Sequence, residues 1–176
     1  MKKLWVLMLL PLGLVGCASD KDPKPTRLCP QVAIVRELER VTTADGAIEG
    51  KAGVIGGAGM LAVEGGCAYG DEGGVDVTFT VKLKAERGPR MAGDKIGFPF
   101  FVALVGPDNA VVQKKLMTAA FSFGSGERFA TRDEPLHIYV PVGKNDTAEF
   151  YRVLLGFQLT EEQLNAVRAK ENAWHP

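Results

Sequence analysis

Histidine and cysteine are both scarce in this chain: 176 residues hold two of the first and three of the second. That scarcity excludes a Cys/His zinc site. A structural zinc site takes four His or Cys ligands at close spacing, and neither His137 nor His175 lies near a cysteine in sequence. Net charge is missing as well. Lys and Arg number 21, as do Asp and Glu, so no global positive field is present to hold nucleic acid. The apolar run at the N-terminus covers 13 residues with Pro11 inside it, short of the roughly 20 a helix needs to cross a bilayer. Composition is otherwise that of a globular protein, 46% hydrophobic and 24% charged, which excludes low-complexity disorder for most of the chain. Its length suits one domain.

The N-terminus does carry a pattern. Met1-Lys2-Lys3 is a basic start, "LWVLMLLPLGLVG" is the apolar run, and Leu14-Val15-Gly16-Cys17 ends it. This order is that of a secretory signal. Its last four residues match the lipobox at every position, and the chain here resembles bacterial lipoprotein precursors. The resemblance implies cleavage before Cys17, a diacylglycerol on the Cys17 sulfur and an acyl chain on its new amine. Several acyl chains hold a protein far more firmly than one, each buried CH₂ contributing about 0.8 kcal/mol. Loss of residues 1–16 removes Lys2 and Lys3 and leaves 19 basic residues against 21 acidic ones, a balance of −2. Ala18 follows the cysteine. It is not the Asp that commonly retains such proteins in the inner membrane, so the resemblance implies an outer-membrane anchor facing the periplasm.

That compartment is oxidising, and Cys29 and Cys67 are the remaining thiols. One intramolecular disulfide between them is expected. Closing a loop of about 39 residues would stabilise the fold by roughly 4 kcal/mol in the chain-entropy model. Metal binding by the pair fails on ligand count.

Three segments follow from composition: a signal peptide (1–16), a lipidated tether (17–28) and a folded domain (29–176). The tether, "ASDKDPKPTRL" after Cys17, is polar, and Pro23 and Pro25 favour extended chain. Segment 32–38 is β-branched at Val32, Ile34 and Val35 and reads as a strand. Residues 50–74 hold ten glycines in 25 positions, and read as a bulged strand plus a hairpin turn, pinned by Cys67. Glycines that let this segment lie close to another backbone are the second reading of the same stretch. Residues 75–87, "VDVTFTVKLKAER", alternate strictly and predict a long strand with one buried and one wet face. The apolar run 96–105 suits a central strand, with Pro99 at a bulge or edge. Segments 110–123, 136–142 and 149–159 complete the set of strands. Thr160-Glu161-Glu162-Gln163 is a capping box that opens a short helix over 161–171. Strands separated by turns at roughly ten-residue spacing predict an all-β antiparallel sandwich, immunoglobulin- or fibronectin-like in shape, with a C-terminal helix. An open barrel is the alternative.

Chemistry-bearing patterns are few. The glycine-rich stretch lacks the Gly-Lys-Ser/Thr of a phosphate loop and the dinucleotide fingerprint. "SFGSGERF" lacks the frame of a nucleophile elbow. His137 alternates outward with Tyr139. The acid pairs Asp71-Glu72 and Asp133-Glu134 are neighbours in turns, whereas general acid–base work needs carboxylates set across a cleft. The EF-hand oxygen ladder is absent from "YGDEGG". The Phe98, Phe100, Phe101 group and Phe150, Tyr151 and Phe157 read as core; Phe101 points opposite to Phe98 and Phe100, and a partner groove on an open strand face is the alternative. Lys82, Lys84, Arg87 and Arg90 place positive charge on a wet strand face and the turn after it, a candidate partner-binding surface.

The expectation is a non-enzymatic accessory module of the cell envelope, without a cofactor. It is held to the membrane by lipid and docks another envelope protein through an exposed edge or the Lys82/Lys84 face. Small envelope lipoproteins, including helpers of outer-membrane barrel assembly, share this arrangement of anchor, tether and domain. A small-ligand or lipid carrier is the alternative.

Overall fold

Strict alternation in residues 75–87 produces strict alternation in burial, and the sandwich is built around that strand. The computed structural model describes residues 27–44 and 53–174, with side chains through residue 169. The signal segment, Cys17, most of the tether and the Asp45-Gly46 turn lie outside the described residues. The strands are β1 (Gln31–Ile34), β2 (Arg40–Ala44), β3 (Val54–Tyr69), β4 (Val75–Arg87), β5 (Lys95–Val105), β6 (Val111–Ser122), β7 (Phe129–Val140) and β8 (Arg152–Phe157). A 3₁₀ turn (Arg36–Leu38) sits between β1 and β2, and α1 (Glu161–Trp174) follows β8. Two four-stranded sheets result, ordered β1-β8-β5-β6 and β2-β3-β4-β7. All pairings are antiparallel except β1 with β8. The expected all-β sandwich with a C-terminal helix is therefore what the chain forms.

Every second residue of β4 from Val75 to Ala85 is buried. Facing them across the interior are Phe98, Phe100, Val102 and Leu104 of β5, with Phe157 and Leu155 of β8. Phe98 meets Phe121 and Phe157 edge-on, with centroids 6.1 and 6.3 Å away. Such pairs add about 0.5–1.5 kcal/mol beyond their area.

The disulfide joins the two sheets. Cys29, just before β1, is bonded to Cys67 on β3, at a sequence separation of 38. Tyr69 reinforces the same corner: its hydroxyl donates to the Leu28 carbonyl at 2.7 Å and accepts from the Ala148 amide at 2.9 Å. Both halves of the capping box form. The Thr160 amide donates to Gln163 Oε1 and the Gln163 amide to Thr160 Oγ1. Gln163 also donates from its side chain to the Thr42 carbonyl, tying α1 to β2.

Several boundaries differ from the sequence expectation. The first strand covers residues 31–34 rather than 32–38, and Arg36–Leu38 turns as a 3₁₀ helix. β7 begins at Phe129 rather than Leu136. Its first half carries Arg132, Asp133 and Glu134 and is followed by Pro135, which an edge strand tolerates. β8 is shorter than 149–159, leaving Phe150 outside it and exposed rather than in the core. Pro99 lies at neither a bulge nor an edge strand. It pairs with Thr118 on one side, and the β8 ladder starts only at Phe100 on the other.

The glycine-rich strand β3 is explained by close backbone approach at one position. It bulges between Met60 and Ala62, then runs opposite β4 to its end. A Cβ on Gly65 would lie against the Thr78 carbonyl and 2.5–2.6 Å from Phe79 Cβ and Cα, whereas one on Gly66 would meet nothing within 4 Å. Gly65→Ala is thus expected to cost about 1–3 kcal/mol by overpacking. Gly66→Ala is expected to gain about 0.4–1 kcal/mol by restricting the unfolded chain. Urea unfolding of the two variants separates these outcomes; equal effects would contradict the close-approach account.

Candidate binding surfaces

The four basic residues singled out in the sequence divide between two surfaces. Lys82 and Lys84 lie on the outer face of the second sheet, as alternation requires. There Lys82 is bonded to Glu64 at 3.1 Å and stands opposite Asp133 in register. Lys84 sits 4.0 Å over the Phe129 ring. Glu86, two residues on, binds Arg128 through two nitrogens. His137 and Asp76 are linked at 2.7 Å, both half exposed. Charge of both signs interleaves across this face, so it is no positive stripe.

Arg87 has the opposite parity and turns to the end of the sandwich far from the disulfide. Its guanidinium lies 5.0 Å from the Phe123 ring and donates to the Gly93 carbonyl at 2.7 Å. Its Nε is buried without a partner. Arg90 is exposed in the turn beyond. This end holds a cavity of about 1760 Å³ between β2, the turns after β4 and β6, and α1. Apolar side chains of Val41, Val54, Phe123, Leu159 and Val167 line it, together with the ion pairs Arg40–Glu39 and Arg128–Glu86. Its walls come from segments far apart in sequence, so no local motif announces it.

The open sheet edges differ from one another. β1 and β2 are four and five residues long. β7 carries Pro135 directly after the run Arg132-Asp133-Glu134, and charge and proline both blunt an edge. β6 has twelve residues and no proline. Its C-terminal half is covered where Arg132 of β7 donates to the Ala120 carbonyl. Residues 111–116 are exposed on both faces, with Val111, Val112 and Leu116 among the largest exposed apolar side chains. Lys114 is held by Gln158 and by the Phe101 ring. Sequence reading recovers β6 as a strand but not as an edge, because edge position depends on pairing order.

Among the described residues, no group of three or more His, Cys, Asp or Glu side chains is placed to hold a metal ion, and no helix is long and apolar enough to cross a membrane. No family model, curated protein or solved structure matches the chain.

The Lys82–Glu64 bridge is solvent-exposed on both sides, and exposed pairs couple weakly. A double-mutant cycle with Lys82→Ala and Glu64→Ala is expected to give a coupling below about 1 kcal/mol. A larger value would mean this face is more ordered than its exposure implies.

Proposed function

We propose that the chain is an envelope lipoprotein, anchored through acylated Cys17 at the periplasmic side of the outer membrane, whose sandwich is a non-enzymatic docking module for another envelope protein. The observation that carries the docking reading is the uncovered first half of β6. An unpaired, two-sided edge offers main-chain donors and acceptors to an extended segment, and strand addition is a recurrent mode of recognition. Lys114 and Lys115 lie in its middle, which suits acidic residues in the incoming strand. The second sheet's outer face, with its charges already paired, supports docking less well than this edge.

A photo-crosslinker placed at Gln113 in intact cells is expected to give one discrete adduct with an envelope protein. The same probe at Asp133 on β7 should give none, and Lys115→Glu should weaken the Gln113 adduct. Adducts of equal strength from both strands, or none from β6, would contradict the reading.

The cavity at the far end favours a second reading, a carrier of a small amphipathic ligand. Its apolar lining would take the ligand's body, and Arg87 has no carboxylate partner among the described residues. Native mass spectrometry of the purified protein would then show a retained anionic amphiphile that Arg87→Leu releases. A clean apo mass before any substitution would contradict the carrier reading.

A further inference from the structure

Eight large apolar side chains are exposed among the described residues, and five of them gather at one end of the sandwich. Phe150 is 64% exposed, Val111 62%, Leu28 57%, and Val112 and Tyr139 each 51%. Their common location follows from the pairing. Val111, Val105, Arg152 and Gln31 form one row across the first sheet, about 14 Å long at the usual interstrand spacing. Phe150 lies two residues before Arg152, and Leu28 three before Gln31. Tyr69 binds both Leu28 and Ala148, and Tyr139 stands opposite Asp76 at the same end of β4.

The tether also enters at this end. Cys29 is fixed to Cys67 there, and the chain from Cys17 to Arg27 spans at most about 35 Å when extended. Once Cys17 is lipidated, the apolar rim is thus the part of the domain where the tether from the bilayer joins it. We propose that this rim, with Phe150 at its centre, rests in the headgroup region of the bilayer that holds Cys17. The inference rests on the lipoprotein reading and adds to it the orientation of the domain.

Tethering makes a weak contact sufficient. Once the lipid is inserted, the rim meets the surface intramolecularly, at an effective concentration in the mM range for a short linker. The charges around the rim decide which surface suits it. Lys144 pairs with Glu72, Arg152 bonds Asn109 at 2.5 Å, and Arg27 lies over Tyr69. Asp71, Asp108, Asp146 and Glu149 lie near the same rim. Among the described residues no basic excess is left for anionic lipid, so contact is apolar and suits zwitterionic headgroups. The end away from the membrane then presents the cavity and α1 to the periplasm.

The test uses the processed protein that begins at Cys17 and so lacks Trp5, purified from membranes and reconstituted into phosphatidylcholine vesicles containing brominated acyl chains. Tryptophan reporters are placed singly, as Phe150→Trp or Phe129→Trp, in a Trp174→Phe background. Phe129 is exposed at the opposite end of β7. The proposal expects several-fold stronger quenching at position 150 than at 129, little changed when anionic lipid is added. Equal quenching at both positions, or none at 150, overturns it. So does a concentration-dependent dimer that Phe150→Glu abolishes, which would assign the rim to a second copy of the chain. The anchor is tested separately by fractionating cells that carry Cys17→Ser: unchanged sedimentation with membranes defeats the lipoprotein reading, whereas the quenching pattern judges only the orientation.

Discussion

The Cys29–Cys67 bond is the constraint on which the rest of the structure depends. It joins the point where the chain enters the domain to the longest strand of the second sheet, and β1, which follows it at once, belongs to the first. One covalent link therefore closes the sandwich at the corner where the described chain begins. A cross-link over this separation restricts the unfolded chain by roughly 4 kcal/mol in the chain-entropy model, a large fraction of a typical domain's stability. Tyr69 adds two hydrogen bonds at the corner and extends the clamp to the segment before β8. The β1–β8 pair beside it is four residues long and parallel.

The two ends of the sandwich have opposite characters. At the clamped end, apolar side chains stand exposed among short-range ion pairs. At the other, a broad cavity is floored by apolar residues and held together by a helix whose cap is fully bonded. Between them runs β6, covered by Arg132 in one half and open in the other. A lipid anchor at Cys17 would give this polarity a direction, with one end toward the bilayer and the other toward the periplasm. The disulfide suits the same proposal, since such bonds persist outside the reducing cytoplasm.

Much of the fold was legible because period-two alternation and turn chemistry are local signals. β4 follows its pattern residue by residue, the bulge in β3 falls within the glycine run, and the capping box forms both of its hydrogen bonds. Where the reading failed, tertiary position outweighed local pattern. The first half of β7 resembled a polar loop because it lies on an edge, and an edge needs no second buried face. Phe150 looked like core from its apolar neighbours, but β8 starts only at Arg152. The binding surfaces were legible in a lesser degree. Lys82 and Lys84 lie on the expected wet face, yet the carboxylates of Glu64 and Asp133 that stand beside them come from strands 18 residues before and some 50 after. Arg87 was grouped with them by proximity in sequence and separated by parity. Neither the cavity nor the β6 edge could be read, because both depend on which strands become neighbours.

The most direct test of the central proposal is the intact mass and N-terminal residue of the protein extracted from native membranes. The account predicts a chain that begins at Cys17 and is heavier by a diacylglycerol and one further acyl chain. A chain that keeps residues 1–16, or one that begins at Cys17 with an unmodified thiol, would contradict it.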